Sequence, residues 1–279
     1  MRILEIINKT TPYLAKAGVV SPRLTIELLL AHVLKKKRLQ LYLEFERELD
    51  DATLEVLRSL VKRRVAGEPL QYVIGETEFC GLKLAVDRRV LIPRPETELL
   101  VEVVAARKPA TVVDVGTGSG CIALALAQRL PAAEVTATDV SPDALAVATA
   151  NVSRYDFKNF TRLLQGDLLS IFPDGFTVDA IVSNPPYIAS GELAQLPQEV
   201  KDFEPAQALF AGVDGLEVIS RLVLEAKRFL SPTGFVALEI GAGQCAAVTQ
   251  LFESAGYKLV QVEKDLQGHE RVIVAVAQT

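Results

Sequence analysis

The segment Val112-Val113-Asp114-Val115-Gly116-Thr117-Gly118-Ser119-Gly120, with the apolar stretch Cys121–Leu130 behind it, constrains the fold more than any other part of the chain. β-Branched residues run directly into a glycine-rich turn, and a helical pattern starts at once. A strand, turn and helix in that order bring bare backbone N–H groups to a ligand at the helix N-terminus, where a side chain would block the approach. Asp139 ends the next strand, 19 residues beyond Gly120, where a carboxylate can take the two hydroxyls of a ribose. The spacing is G-x-G-x-G, not the G-x-G-x-x-G of the dinucleotide fingerprint. The expectation is a nucleoside-containing cofactor.

Around this segment strand and helix alternate. Strands are expected at Thr111–Val115, Glu134–Thr138, Arg162–Gln165, Ala180–Ser183, Gly234–Ile240, Lys258–Glu263 and Glu270–Val276. Helices are expected at Cys121–Arg129, Pro142–Arg154, Leu216–Phe229 and Gln244–Ser254. That alternation predicts an α/β fold, a Rossmann-like doubly wound sheet that is mostly parallel. Only Lys264–His269 separates the last two strands, too little for a crossover helix, so the last strand should be antiparallel.

The front of the chain reads differently. Residues 1–69 form a small helical domain. Its first helix carries Ile3, Ile6, Ile7 and Leu14, with Pro12 expected to kink or split it. The second is capped by Ser21 ahead of Pro22, and the third by Asp50 or Asp51. Residues 70–90 read as a β-hairpin linker, with strands at Tyr72–Ile74 and Leu82–Val86 around Cys80-Gly81. A helix should open near Glu96, and residues 91–279 make the main domain. Ile188–Gly215 has little periodicity and is expected to form a flap over the substrate.

Composition narrows the class. With 49% hydrophobic and 23% charged residues, the 279-residue chain can bury a real core. No stretch approaches the ~18 apolar residues of a membrane span. Glu5 and Lys9 interrupt the start too early for the apolar core of a signal peptide. The expectation is a cytoplasmic protein with no membrane partner. Three distant cysteines, Cys80, Cys121 and Cys245, give neither a disulfide framework nor a zinc knuckle. Two histidines, His32 and His269, exclude a histidine-rich metal site. Residues 1–70 hold 13 Lys+Arg against 9 Asp+Glu, a net of +4, and the remainder 17 against 26, a net of −9. The acidic body speaks against a broad nucleic-acid surface. The basic front could meet an acidic or ribonucleoprotein partner, or be a solvated helical face.

A second motif, Asn184-Pro185-Pro186-Tyr187, follows the apolar strand Ala180-Ile181-Val182-Ser183. Two prolines remove two backbone donors and stiffen the chain. A side-chain amide and carbonyls can then face one planar ligand, with Tyr187 stacking on it. The Asn184 side-chain oxygen and the Pro185 carbonyl suit the two hydrogens of an N–H₂ group. Methylation of a planar, poorly nucleophilic nitrogen requires this kind of orientation.

Together the two motifs resemble a class I S-adenosylmethionine-dependent methyltransferase of the amino-methylating kind. Pro69–Gly75, Phe79–Leu82, Val90-Leu91-Ile92-Pro93-Arg94-Pro95-Glu96-Thr97-Glu98, and Phe203-Glu204-Pro205 through Ala208–Gly212 are similar, more specifically, to the peptide chain release factor N5-glutamine methyltransferases. The likeness extends from about residue 20 to the C-terminus. N-P-P-Y alone is shared with adenine-N6 methyltransferases of DNA, whereas I-P-R-P-E-T-E is far more specific.

The resemblance implies a site. Gly116, Thr117, Gly118, Ser119 and Gly120 would line the methionine part of S-adenosylmethionine, with Asp114 beneath them. Asp139 would bind the ribose, and Asp167 and Leu168 would meet the adenine. Asn184, Pro185 and Tyr187 would be the catalytic residues, with Pro186 completing the substrate clamp and Asn184 also adjoining the cofactor. The substrate would be the glutamine of the release factor's Gly-Gly-Gln motif, and the products N5-methylglutamine and S-adenosylhomocysteine. No metal and no nucleic-acid substrate are expected. The helical domain would grip the release factor elsewhere. Arg94, Glu96, Glu98 and Glu204 read as ion pairs that lock the hairpin and the active-site loop. The alternatives are a glutamine of a ribosomal protein, an adenine in nucleic acid, or a cofactor-binding scaffold without catalysis.

Overall fold

The computed structural model describes residues 1–277, which divide into two compact units. One comprises Met1–Gly75 with Pro197–Phe203; the other is the remainder.

The first unit is helical: α1 (Ile3–Lys16), α2 (Pro22–Leu34), α3 (Arg38–Leu41), α4 (Asp51–Val65) and α5 (Leu70–Ile74). Ile3, Ile6, Ile7 and Leu14 make one buried face of α1, against Leu29 and Leu30 of α2 and Leu57 of α4 in a common core. α1 runs unbroken through Pro12, so the helix is not split there. Pro12 and Asn8 are both exposed, so the carbonyl that proline leaves without a partner faces solvent. Ser21 is not a side-chain cap either: it sits in the left-handed region at φ 52°, and α2 starts on Pro22, which has no donor to satisfy. Asp50 does cap α4, accepting from Thr53 N at 2.7 Å. Glu27 is buried on α2 and accepts from Arg23, Arg38 and Tyr42 at 3.0, 3.0 and 2.9 Å. Burial pushes its pKa up, but those hydrogen bonds win and hold it below the usual carboxylate range.

The expected strand at Tyr72–Ile74 is the helical turn α5. Pro69 opens it, and Gly75, at φ 82°, stops it before five residues can alternate.

The second unit starts with a hairpin, β1 (Glu76–Phe79) and β2 (Leu82–Ala85), which pair antiparallel. Then follow α6 (Thr97–Ala106), β3 (Thr111–Val115), α7 (Cys121–Arg129), β4 (Glu134–Asp139), α8 (Pro142–Val152), β5 (Phe160–Gln165) and β6 (Val178–Ser183). Within Ile188–Gly215, two short 3₁₀ turns flank α9 (Gln198–Phe203), so this stretch has more local order than its sequence suggests. After it come α10 (Glu217–Ala226), β7 (Leu230–Glu239), α11 (Cys245–Ser254), β8 (Tyr257–Lys264) and β9 (Glu270–Ala277).

The seven-stranded sheet runs β5-β4-β3-β6-β7-β9-β8. Its first five strands are parallel, and β9 is antiparallel to both neighbours. The central strands are nearly continuous apolar runs because both faces are covered. Leu100, Val104 and Leu124 of α6 and α7 pack on one face. Leu222 of α10 and Phe252 of α11 pack on the other. Truncating fully buried Leu124 to Ala should cost about 2–5 kcal/mol. Strand order reverses between β3 and β6, and in open sheets of this kind ligands bind beyond the carboxyl ends at that point.

Candidate active site

Sheet register builds the site. Val112, Val113 and Asp114 of β3 lie opposite Ala180, Ile181 and Val182 of β6. The two strands therefore end side by side, at Val115 and Ser183, and Ser183 Oγ donates to Val115 O at 2.6 Å. The glycine turn and Asn184 leave the sheet as neighbours. Gly116 N and Thr117 N both donate to Thr138 O of β4 at 2.9 Å, and Gly166 N donates to Asp139 O at 3.0 Å. The ends of β3, β4, β5 and β6 thus share one rim.

Gly116 and Gly118 have φ of 72° and 55°, and a Cβ on either would meet no protein atom within 4 Å. Bare backbone therefore fronts open space in a conformation that side chains resist. Gly120, at φ 83°, differs: its Cβ would lie 3.5 Å from Ala148 Cβ, so it lets α7 approach α8. Asp139 Oδ2 accepts from Gly118 N at 2.8 Å and Oδ1 from Ser141 N at 2.9 Å. Each oxygen keeps acceptor capacity. Burial raises the Asp139 pKa against the hydrogen bonds of Ser141, Gly118 and Val140. Asp114 lies wholly inside, accepting from Thr117 Oγ1 at 2.6 Å and Ala123 N at 3.2 Å. Burial pushes its pKa up to about 7. It locks the turn from beneath.

A cavity of about 380 Å³ opens on this rim. Of the residues expected in the site, Gly116, Gly118, Asp139, Asp167, Leu168, Asn184, Pro185 and Pro186 line it. Thr117, Ser119 and Gly120 of the turn, and Asp114 of β3, do not line it. The glycine cradle and the buried Asp139 carboxylate fit a nucleoside whose ribose reaches that carboxylate. Asp167 is ion-paired with Arg221 at 2.6 Å, and both border the cavity. Leu168 takes a positive φ of 51° there.

Tyr187, expected to stack over the ligand, is set back from the cavity wall. Its hydroxyl donates to Glu239 Oε1 at 3.4 Å, and its carbonyl accepts from Gln244 Nε2 at 2.9 Å. Burial, then the Glu239 charge, raise its pKa well above the ordinary value. Asn184 Nδ2 donates to Thr97 Oγ1 at 3.1 Å. Burial pushes the Glu239 carboxyl up to about 7.

Thr97, Glu239 and Gln244 were not singled out by sequence reasoning. Nor was Asn151, fully buried on α8, which bonds Ala85 N and O at 2.6 and 3.0 Å and Ser119 O at 2.8 Å. It ties the hairpin to the glycine turn. Its position seven residues after Ala144, on the face holding Val147 and Ala148, was a readable signal. Of the four charged residues read as ion pairs, Arg94 and Glu204 form one, while Glu98 bonds a backbone amide instead. Glu204 accepts from Arg94 at 2.6 Å and from Ile92 N at 3.2 Å, and Glu98 accepts from Cys80 N at 2.7 Å. His269 sits in the turn between β8 and β9, half exposed. Cys80, Cys121 and Cys245 are free, and burial pushes Cys80 up to about 11 and Cys121 up to about 12.

This strand order, with a glycine turn after β3 and N-P-P-Y after β6, defines a class I methyltransferase. Residues 95–200 match the methyltransferase small domain, and residues 5–75 match the PrmC N-terminal domain. A solved methyltransferase from Pyrococcus furiosus shares the fold, with a TM-score of 0.52 at 20% identity over 70% of this chain and 88% of that one. The release factor glutamine methyltransferase of Geobacter sulfurreducens is 41% identical over 97% of this chain and 95% of its own length. That of Chlorobaculum tepidum is 42% identical over 99% and 97%. The chain belongs to the release factor glutamine methyltransferase family, whose members are S-adenosylmethionine-dependent enzymes.

Proposed function

We propose that this protein transfers a methyl group from S-adenosylmethionine to the side-chain amide nitrogen of the glutamine in the Gly-Gly-Gln motif of peptide chain release factors. The observation that carries the proposal is one cavity with a glycine cradle on one wall and Asn184, Pro185 and Pro186 on the adjoining wall. The cofactor supplies an electrophilic methyl group and departs as the neutral sulfide S-adenosylhomocysteine.

The chain's own residues hold and orient. Gly116 and Gly118 admit the cofactor against bare backbone, Asp139 takes the ribose hydroxyls, and Asp167 and Leu168 border the adenine. Asn184 Oδ1 accepts one N–H of the glutamine amide, and the Pro185 carbonyl accepts the other. With both hydrogens held, the nitrogen faces the methyl group and competing poses are excluded. An amide nitrogen becomes acidic only as the methyl arrives, so the step needs no strong base and the displaced proton passes to water. Positioning and polarisation carry the rate. Residues 1–69 hold the release factor away from the glutamine, and Ile188–Gly215 covers it.

Peptide mass spectrometry of a purified release factor incubated with this protein and S-adenosylmethionine tests the reading. A single added methyl on the Gly-Gly-Gln glutamine is expected. A methyl found instead on a ribosomal-protein glutamine or on adenine in nucleic acid would overturn it.

A further inference from the structure

Three segments converge on one side chain at the far end of the clamp. Gln244, just ahead of α11, donates from Nε2 to the Tyr187 carbonyl at 2.9 Å and accepts at Oε1 from Gly241 N at 2.9 Å. Its own backbone N–H donates to Gly241 O at 3.1 Å, so side chain and main chain both hold the turn after β7. Two glycines make room for it. A Cβ on Gly241 would lie 2.8 Å from Gln244 Oε1. A Cβ on Gly215, where the long segment from Ile188 returns, would strike the Tyr187 carbonyl and come within 2.9 Å of Gln244 Nε2.

The partners fix which way the Gln244 amide faces. A backbone N–H only donates and a backbone carbonyl only accepts, so Oε1 must face Gly241 and Nε2 must face Tyr187. What the second bond secures follows from the clamp's own sequence. Pro185 and Pro186 have no N–H, so no backbone donor ties the clamp down at those two positions. It is held at its ends. At one end Ser183 pairs with Leu238 in the sheet, and its Oγ donates to Val115 O at 2.6 Å. At the other, Gln244 holds the Tyr187 carbonyl, and Ile188 N donates to Leu209 O at 2.9 Å. We propose that Gln244 is a positioning residue that pins the far end of the clamp, so that the Asn184 amide and the Pro185 carbonyl stand where the substrate amide needs them. This deepens the proposed function and rests on it. Tyr187, Gly215 and Gly241 do not border the cavity, so the bond acts on the clamp and not on the cofactor cradle. A displacement of about 1 Å in such a clamp can cost on the order of 100-fold in rate, because transfer depends on the angle and distance of approach.

The test uses the full chain and a purified release factor. Gln244→Ala removes both side-chain bonds. It should lower kcat for methyl transfer by about 10–100-fold, with S-adenosylhomocysteine affinity within about 3-fold of wild type. Gln244→Glu keeps the length and the acceptor for Gly241 N. Ionised, it sets an oxygen against the Tyr187 carbonyl; protonated, it donates there as the amide does. Its kcat relative to wild type at the same pH should therefore rise at least about 5-fold between about pH 8 and about pH 5.5, while that of Gln244→Ala stays flat. Tyr187, Glu239, Cys245, Glu270 and Arg271, the titratable groups of the neighbouring elements, are common to all three proteins and cancel in the ratio. Hydrogen exchange at the Gly241 and Ile188 amides gives a readout without release factor. In Gln244→Ala the protection of both should fall at least about 10-fold, and in Gln244→Glu at about pH 8 only that of Ile188. Wild-type kcat in Gln244→Ala, a Gln244→Glu deficit that does not ease in acid, or unchanged exchange at Ile188 would overturn the proposal. Wild type that leaves the release factor unmethylated would sink the proposed function instead, while exchange at Ile188 still decides whether Gln244 pins the end of the clamp.

Discussion

The two walls of the cavity are held by different means. The cradle wall is backbone: positive φ at Gly116 and Gly118, and amides of the turn bonded to Thr138 and Asp139. Its conformation is written within one strand, one turn and the strand beside it. The clamp wall is a side-chain amide that donates to Thr97, 87 positions away. A cradle of this kind can bind a cofactor however the clamp is set. The clamp, by contrast, can lose its chemistry with the fold and cofactor site intact.

Substitutions can break that separation or sharpen it. The largest effect is expected from Gly118→Val, which places a branched side chain at φ 55° and into the cavity. S-adenosylhomocysteine affinity by calorimetry should fall about 100-fold, from backbone strain and lost space together. A comparable effect, of roughly 3 kcal/mol, belongs to the clamp side and depends on pH. Burial holds Glu239 at about 7 against an ordinary 4.5, so the folded state binds that proton more tightly than the unfolded chain. Its contribution to stability is complete below about pH 4.5 and is lost as pH rises through about 7. Urea unfolding at pH 5 and pH 8 should show wild type losing roughly 3 kcal/mol that Glu239→Gln retains. Asp114, also held at about 7, contributes to the slope in both proteins and cancels in the difference. Next comes Asp139→Asn, which should weaken S-adenosylhomocysteine about 10-fold by removing a charged acceptor, with little change in how bound substrate reacts. The smallest effect is Tyr187→Phe. Its hydroxyl bond is long, at 3.4 Å, so kcat should fall less than about 3-fold. A large loss would mean that the hydroxyl meets the substrate directly.

What the sequence disclosed follows the same division. The glycine turn, Asp139 and the parallel strands were legible because each depends on residues close in the chain: apolar runs, glycine conformations and a short final hairpin. Asn184-Pro185-Pro186 was legible as a motif, since prolines without donors leave a restricted set of acceptors. Thr97 and Glu239 were not. A threonine inside a charged segment acquires meaning only once α6 brings it to Asn184, and a glutamate at the end of an apolar strand only once β7 brings it to Tyr187. Tyr72–Ile74 misled for the opposite reason. Three β-favouring residues look like a strand, but Pro69 and Gly75 leave room for only one helical turn, which buries Tyr72 and Val73. Local preference yielded to the boundaries and the core.

The central claim is that the cradle binds the cofactor while Asn184 orients the amide, and Asn184→Ala tests it most directly. S-adenosylhomocysteine affinity and single-turnover methyl transfer to a release factor would be measured on the same preparation. The account predicts affinity within about 3-fold of wild type and transfer slower by about 10²–10³-fold, the scale of losing one oriented hydrogen-bonding group in an active site. Transfer at the wild-type rate, or a loss of cofactor affinity that matches the loss of rate, would contradict it.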